Sequence, residues 1–166
     1  MAEANRHFGG AGFNIGDQIS SPAWLLVTQD LIDGFGQYTI DPDPFHIDPV
    51  WAKNHSPFGG TIAFGFFTIS ILTHLLHIAQ GSGARDVAAD PVTHGHYLNY
   101  GFNRLRLVSP LHIGKRIRGI FKVKNLIVDA KDRSILTFDA IIEIEGEDRP
   151  ALVADWLAVW IPGNAN

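Results

Sequence analysis

The chain has 166 residues, 46% of them hydrophobic and 18% charged, a balance that fits one folded domain with room for a real core and excludes a disordered chain. Its formal net charge of −4 leaves no overall excess of Lys and Arg for phosphate backbones, which argues against nucleic-acid binding. Without cysteine it has no disulfide, no thiol nucleophile and no cysteine-ligated metal, a composition that suits the cytoplasm.

The opening residues, MAEANRHFGGAGFNIGD, contain no basic stretch followed by an apolar one, so no signal peptide is expected. Residues 1–14 are read as a flexible, Gly-rich lead-in and residues 15–162 as a single domain. Thr28 is placed to cap a short helix over QDLIDGF, with Leu31, Ile32 and Phe35 on its apolar side and Gly34 and Gly36 marking its end. Three aspartates, three prolines and one histidine then fall between Asp41 and Val50, and the prolines predict an ordered loop rather than an element.

The run TIAFGFFTISILTHLLHIA, Thr61 to Ala79, predicts a helix close to 28 Å long at about 1.5 Å per residue. It is near the lower limit for crossing a bilayer, but Ser70, Thr73, His74 and His77 form a polar stripe along it, so a buried core helix is expected instead. After a loop at GSGARDVAADPVTHG, the pattern switches to period two. YLNYGFNRLRLV, KRIRGIFKVKNLIV, SILTFDAIIEIEG and ALVADWLAVWI read as strands, the second cleanest of all. A helical first half followed by antiparallel strands gives an α+β fold, the sheet wrapped around one long helix.

With these elements in place, IDPDPFHIDPVWAKNHSPFGGTIAFGFFTISIL resembles the hydratase segment of the MaoC-like dehydratases, which have the hot-dog fold. The resemblance is to the subgroup of nodulation protein N-like proteins and (R)-specific enoyl-CoA hydratases. Asp41 and His46 keep the family's four-residue gap, Asp48-Pro49 follows, and Gly59, Gly60, Ile62, Ala63 and Gly65 match the turn that enters the central helix. Pro110 and Gly114 match a second segment downstream, and the likeness spans roughly Ile15 to Trp160. Three positions depart from the pattern: Ile40 stands for the glycine before the aspartate, Asp43 for a frequent Asn, and Phe64 for the histidine before the helix glycine.

The resemblance implies reversible hydration of trans-2-enoyl thioesters with (R) stereochemistry, coenzyme A or acyl carrier protein as carrier, no cofactor, and at least a homodimer. Asp41 and His46 would share a water, a carboxylate and an imidazole being suited to moving protons near neutrality. The Gly65 N–H, at a helix start, would face the thioester oxygen. Gly60 and Phe64 are expected beside the substrate, and the basic parity Arg116, Arg118, Lys122, Lys124 offers Arg116 and Arg118 to coenzyme A phosphates.

Alternatives are a thioesterase on the same fold, directing water at the carbonyl carbon, and a non-catalytic acyl-thioester-binding protein. No metal is expected. Asp41, Asp43 and Asp48 do not have EF-hand spacing, and His74 with His77 lacks an evident third ligand.

Overall fold

The computed structural model describes residues 12–81, 95–131 and 133–163. Most of the expected lead-in and of the loop after the long helix, His94 included, lies outside the described residues. Phe13 is already packed into the core, its ring edge-on to Phe138 at 5.5 Å between centroids.

Two short strands, β1 (Gln18–Ser20) and β2 (Leu25–Leu26), precede helix α1 (Gln29–Thr39). Thr28 caps α1 as expected, its side chain accepting from the Leu31 N–H at 3.3 Å. The helix does not stop at Gly34 or Gly36, however, but runs on to Thr39. Gly36 serves packing instead. A Cβ there would lie 3.0 Å from the Asp41 carbonyl oxygen, 3.0 Å from the Phe64 ring and 3.2 Å from Ile47.

The proline-rich stretch is not a loop either. It folds into α2 (Pro44–Ile47) and α3 (Pro49–His55). Each begins with a proline at its first turn, where the missing N–H costs nothing, and each is capped by the aspartate before that proline. Asp43 accepts from the Phe45 N–H at 3.0 Å and Asp48 from the Trp51 N–H at 2.9 Å. Proline excludes a helix interior but favours a helix start, and here it starts two.

The central helix α4 (Gly65–Ala79) is shorter than expected, 15 residues and about 22 Å. Thr61 to Ala63 stay extended because they pair with the segment after the first long strand: Ala63 N–H donates to the Leu111 carbonyl at 2.7 Å and Ile113 N–H to that of Thr61 at 3.2 Å. Phe67, Leu72, Leu75 and Leu76 are buried, while Phe66 is 76% exposed and Ser70 is exposed, so one flank of this apolar helix faces out of the single chain.

Four long strands follow, β3 (His96–Leu107), β4 (Arg116–Val128), β5 (Ser134–Ile144) and β6 (Leu152–Ile161). All pairings are antiparallel and the order is β1-β4-β5-β6-β3, with β2 also on β4. The imperfect alternation of β3 has a cause: its register with β6 shifts between Asn99 and Gly101 and again between Phe102 and Arg104. Each shift inverts the parity of the residues beyond it.

Helix and sheet approach closely at Gly119 of β4, where a Cβ would come within 2.9 Å of the Leu75 Cβ and under 3 Å of the Phe121 ring. Ser21 locks the same crossing, its hydroxyl donating to the Leu75 carbonyl at 3.1 Å and accepting from the Gly119 N–H at 3.3 Å. The expected α+β arrangement, an antiparallel sheet on one long helix, is the observed one.

Candidate active site

The site assembles where α1 ends, α2 turns, the extended residues 61–64 pass and α4 begins. His46 is fixed from three sides. Its Nδ1 lies 2.8 Å from the Ile62 carbonyl oxygen. A carbonyl only accepts, so Nδ1 carries a hydrogen, which leaves Nε2 as the ring nitrogen free to face a ligand. The ring rests on Phe64 at 4.0 Å between centroids, and the His46 carbonyl accepts from Gln29 Nε2 at 2.7 Å.

His46 and Gly65 line one cavity of about 260 Å³, together with Ile62, Thr68, Leu107 and Pro110. Phe64 is the N-cap of α4 and has no side chain able to cap it, so the first N–H groups of the helix, that of Gly65 among them, lack a capping partner. Such a helix start, with its dipole behind it, suits a developing negative charge. Glycine at position 65 keeps the approach clear: a Cβ there would meet Leu107 Cδ1 at 2.6 Å.

Asp41 lines a different cavity, about 410 Å³, with Asp33, Gly36, Gln37, Ile40, Pro42 and Ile47. Its Oδ1 accepts from the Asp43 N–H at 3.3 Å. Asp41 and His46 thus line separate cavities: Gly36, which borders that of Asp41, packs on the Phe64 ring that also backs His46, and no hydrogen bond joins the two side chains among the described residues. Phe64 is buried, 4% exposed, and backs His46 rather than lining either cavity. Gly60 sits in the turn before Thr61 and borders neither.

Arg116 and Arg118 lie elsewhere. Ile117, Gly119 and Phe121 of β4 turn toward α4, so the two arginines project from the opposite face of the sheet. Each meets a glutamate, Arg116 with Glu145 just beyond the end of β5 at 3.4 Å and Arg118 with Glu143 of β5 at 2.6 Å, and Arg118 also stands 4.7 Å over the Trp24 ring. Among the described residues, no three His, Asp or Glu side chains converge as a metal site, and no helix is long and apolar enough to cross a membrane.

One residue that supports the site was missed in the sequence. Gln29, the first residue of α1, donates to the His46 carbonyl and to Asp33 Oδ1 at 2.8 Å, and accepts from the Thr61 hydroxyl at 2.8 Å. It ties α1, α2 and the entry to α4 together.

Comparison with known proteins bears on the family and the fold. Residues 11–143 match the family described as the MaoC like domain. Nodulation protein N of Rhizobium leguminosarum bv. viciae is 37% identical over 145 residues, 87% of this chain and 85% of that protein. The 3-hydroxyacyl-thioester dehydratase Z of Mycobacterium tuberculosis is 30% identical over 152 residues, 88% of this chain and 90% of the relative. Among solved structures, a MaoC-like dehydratase from Rhodospirillum rubrum superposes with a TM-score of 0.70 at 24% identity, covering 92% of this chain and 96% of the other. The (R)-hydratase from A. caviae involved in PHA biosynthesis gives 0.66 at 18% identity, with 89% and 97% covered. These last two likenesses show the shared hot-dog fold.

Proposed function

The chain belongs to the MaoC-like domain family, and from that premise we propose that it is a hydratase–dehydratase lyase acting on acyl thioesters. It reversibly converts trans-2-enoyl to (R)-3-hydroxyacyl thioesters, carried on coenzyme A or acyl carrier protein. The observation that carries this reading is the single cavity shared by a backbone-anchored His46 and the uncapped start of α4 at Gly65. The 3-hydroxyacyl-thioester dehydratase relative supports the reaction class.

In the proposed mechanism the thioester oxygen faces the Gly65 N–H, which stabilises the negative charge that develops there as the double bond is attacked. A water held between His46 Nε2 and the Asp41 carboxylate adds its oxygen to the β-carbon. The Asp41–His46 pair takes the proton from that water and returns one to the α-carbon on the same face, so atoms and charge balance over the cycle. The two groups act on one water, so the roles of acid and base belong to the pair. The same reading has the protein acting as a homodimer, with β3, the edge strand carrying exposed Leu98, Tyr100 and Phe102, as the surface that a second copy covers.

The test is crotonyl-CoA hydration, followed by loss of enoyl absorbance, for wild type beside Asp41→Asn and His46→Ala. The expected result is wild-type turnover that falls about 10²–10⁴-fold in each variant. Release of free thiol without hydration would make the protein a thioesterase, and acyl-CoA binding without turnover would make it a binding protein. A sedimentation experiment showing a stable monomer would remove the dimer.

A further inference from the structure

Ile40 is the one non-glycine residue with a left-handed backbone among the described residues, at φ 58°. It ends α1, its N–H directed at the Gln37 and Gly36 carbonyls. Glycine or asparagine ends a helix this way without strain, whereas a β-branched side chain crowds its own backbone there. Core burial gives nothing back in exchange, because Ile40 is 88% exposed. Strain of this kind persists where something beyond folding requires it.

The cavity beside it points to what that is. Ile40, Pro42 and Ile47 make an apolar wall around the space that the neighbouring Asp41 lines. Asp33, the other carboxylate there, is occupied by Gln29. An extended conformation at residue 40 would redirect both its side chain and the Asp41 that follows.

We propose that Ile40 is a specificity-determining residue, its side chain standing at the rim of the Asp41 cavity and closing onto the apolar acyl chain of the bound thioester. The proposal rests on the thioester reading above, and it adds the chemistry of the chain selected: aliphatic, and long enough to reach past the reacting carbons onto Ile40. The strained residue is covered only when substrate is present.

The experiment measures binding as well as turnover, so that it does not depend on catalysis. Calorimetric Kd values for octanoyl-CoA and butyryl-CoA, neither of which can be hydrated, are compared for wild type, Ile40→Gly and Ile40→Asn. Both substitutions accept the left-handed backbone, so melting temperatures at or above wild type are expected and show that the fold is kept. Octanoyl-CoA binding should weaken about tenfold or more in both variants, the loss expected when one aliphatic contact is removed, with butyryl-CoA little changed. An unchanged ratio of the two Kd values, or no saturable octanoyl-CoA binding by wild type, would overturn the proposal. Selective binding without hydration of octenoyl-CoA would instead retain Ile40 and overturn the lyase reading.

Discussion

Gln29 Nε2 donates to the carbonyl oxygen of His46 across seventeen positions of chain, at 2.7 Å. The same side chain accepts from Thr61, so the histidine and the strand-like entry to α4 are held to one amide. Gln29→Ala therefore takes the partner from three polar groups, the His46 carbonyl, the Thr61 hydroxyl and the Asp33 carboxylate, and lets α2 shift. Turnover should fall about tenfold to hundredfold with a much smaller change in KM, the signature of misplaced rather than missing chemistry. Gln29→Glu keeps the acceptor for Thr61 but cannot donate to a carbonyl, and steady-state kinetics should place it beside the alanine variant. Wild-type kinetics in both would deny Gln29 a positioning role.

Gly65→Ala separates stability from activity. Its new methyl group meets only the end of Leu107, a half-exposed side chain free to turn aside, and alanine is the better helix former. Thermal unfolding should move by no more than about 1 kcal/mol. Alanine keeps the N–H, but its methyl group and the displaced Leu107 crowd the cavity at the helix start, so if the Gly65 N–H faces the thioester oxygen, hydration should nevertheless drop by up to about 10²-fold through a misplaced substrate.

Gly119→Ala should do the reverse. The methyl group is driven against the Leu75 Cβ and the Phe121 ring, where helix and sheet are in contact and neither can retreat. About 1–3 kcal/mol of stability is expected to be lost. Chemical denaturation reads that loss, while KM for crotonyl-CoA stays as in wild type.

The pairing of Arg116 and Arg118 with Glu145 and Glu143 predicts that neither is free for coenzyme A phosphates. Arg116→Ala and Arg118→Ala should leave KM and its salt dependence unchanged. A KM that rises, and rises less steeply with salt than in wild type, would place both arginines at the substrate.

The β4–β5 turn carries a pH marker. Asp129 accepts from the Arg133 side chain and from the Lys131 and Arg133 N–H groups, which hold its carboxyl down at about 2 against an ordinary 3.8. Because the folded value is the lower one, its contribution to stability is present above the ordinary carboxylate range and disappears as pH falls toward 2. Carboxyl NMR should give a midpoint near 2 in wild type, moving part of the way back up in Arg133→Ala.

The four long strands and α4 were legible because each repeats its pattern over ten residues or more: Ile117, Phe121 and Val123 alternate without a fault until the shift at Asn125. The strands β1 and β2 were not, since two or three residues carry no period and exist only by pairing with β4. The two proline-headed helices were misread although Asp43-Pro44 and Asp48-Pro49 are start signals, a cap followed by a first-turn proline. Asp41, His46 and Gly65 were singled out by family likeness, not by any period of their own. Gln29 was invisible because its partners at His46 and Thr61 come near it only through the fold.

The two short helices have a consequence for how the protein breathes. Four and seven residues are too few to hold a helix on their own, so α2 and α3 last only as long as their neighbours support them. Their amides should exchange with solvent deuterium well before those of β5, which is flanked by strands on both sides at the centre of the sheet. Slowed exchange over residues 44–55 when a thioester is added, with the sheet unaffected, would report occupancy of the site before any turnover is measured.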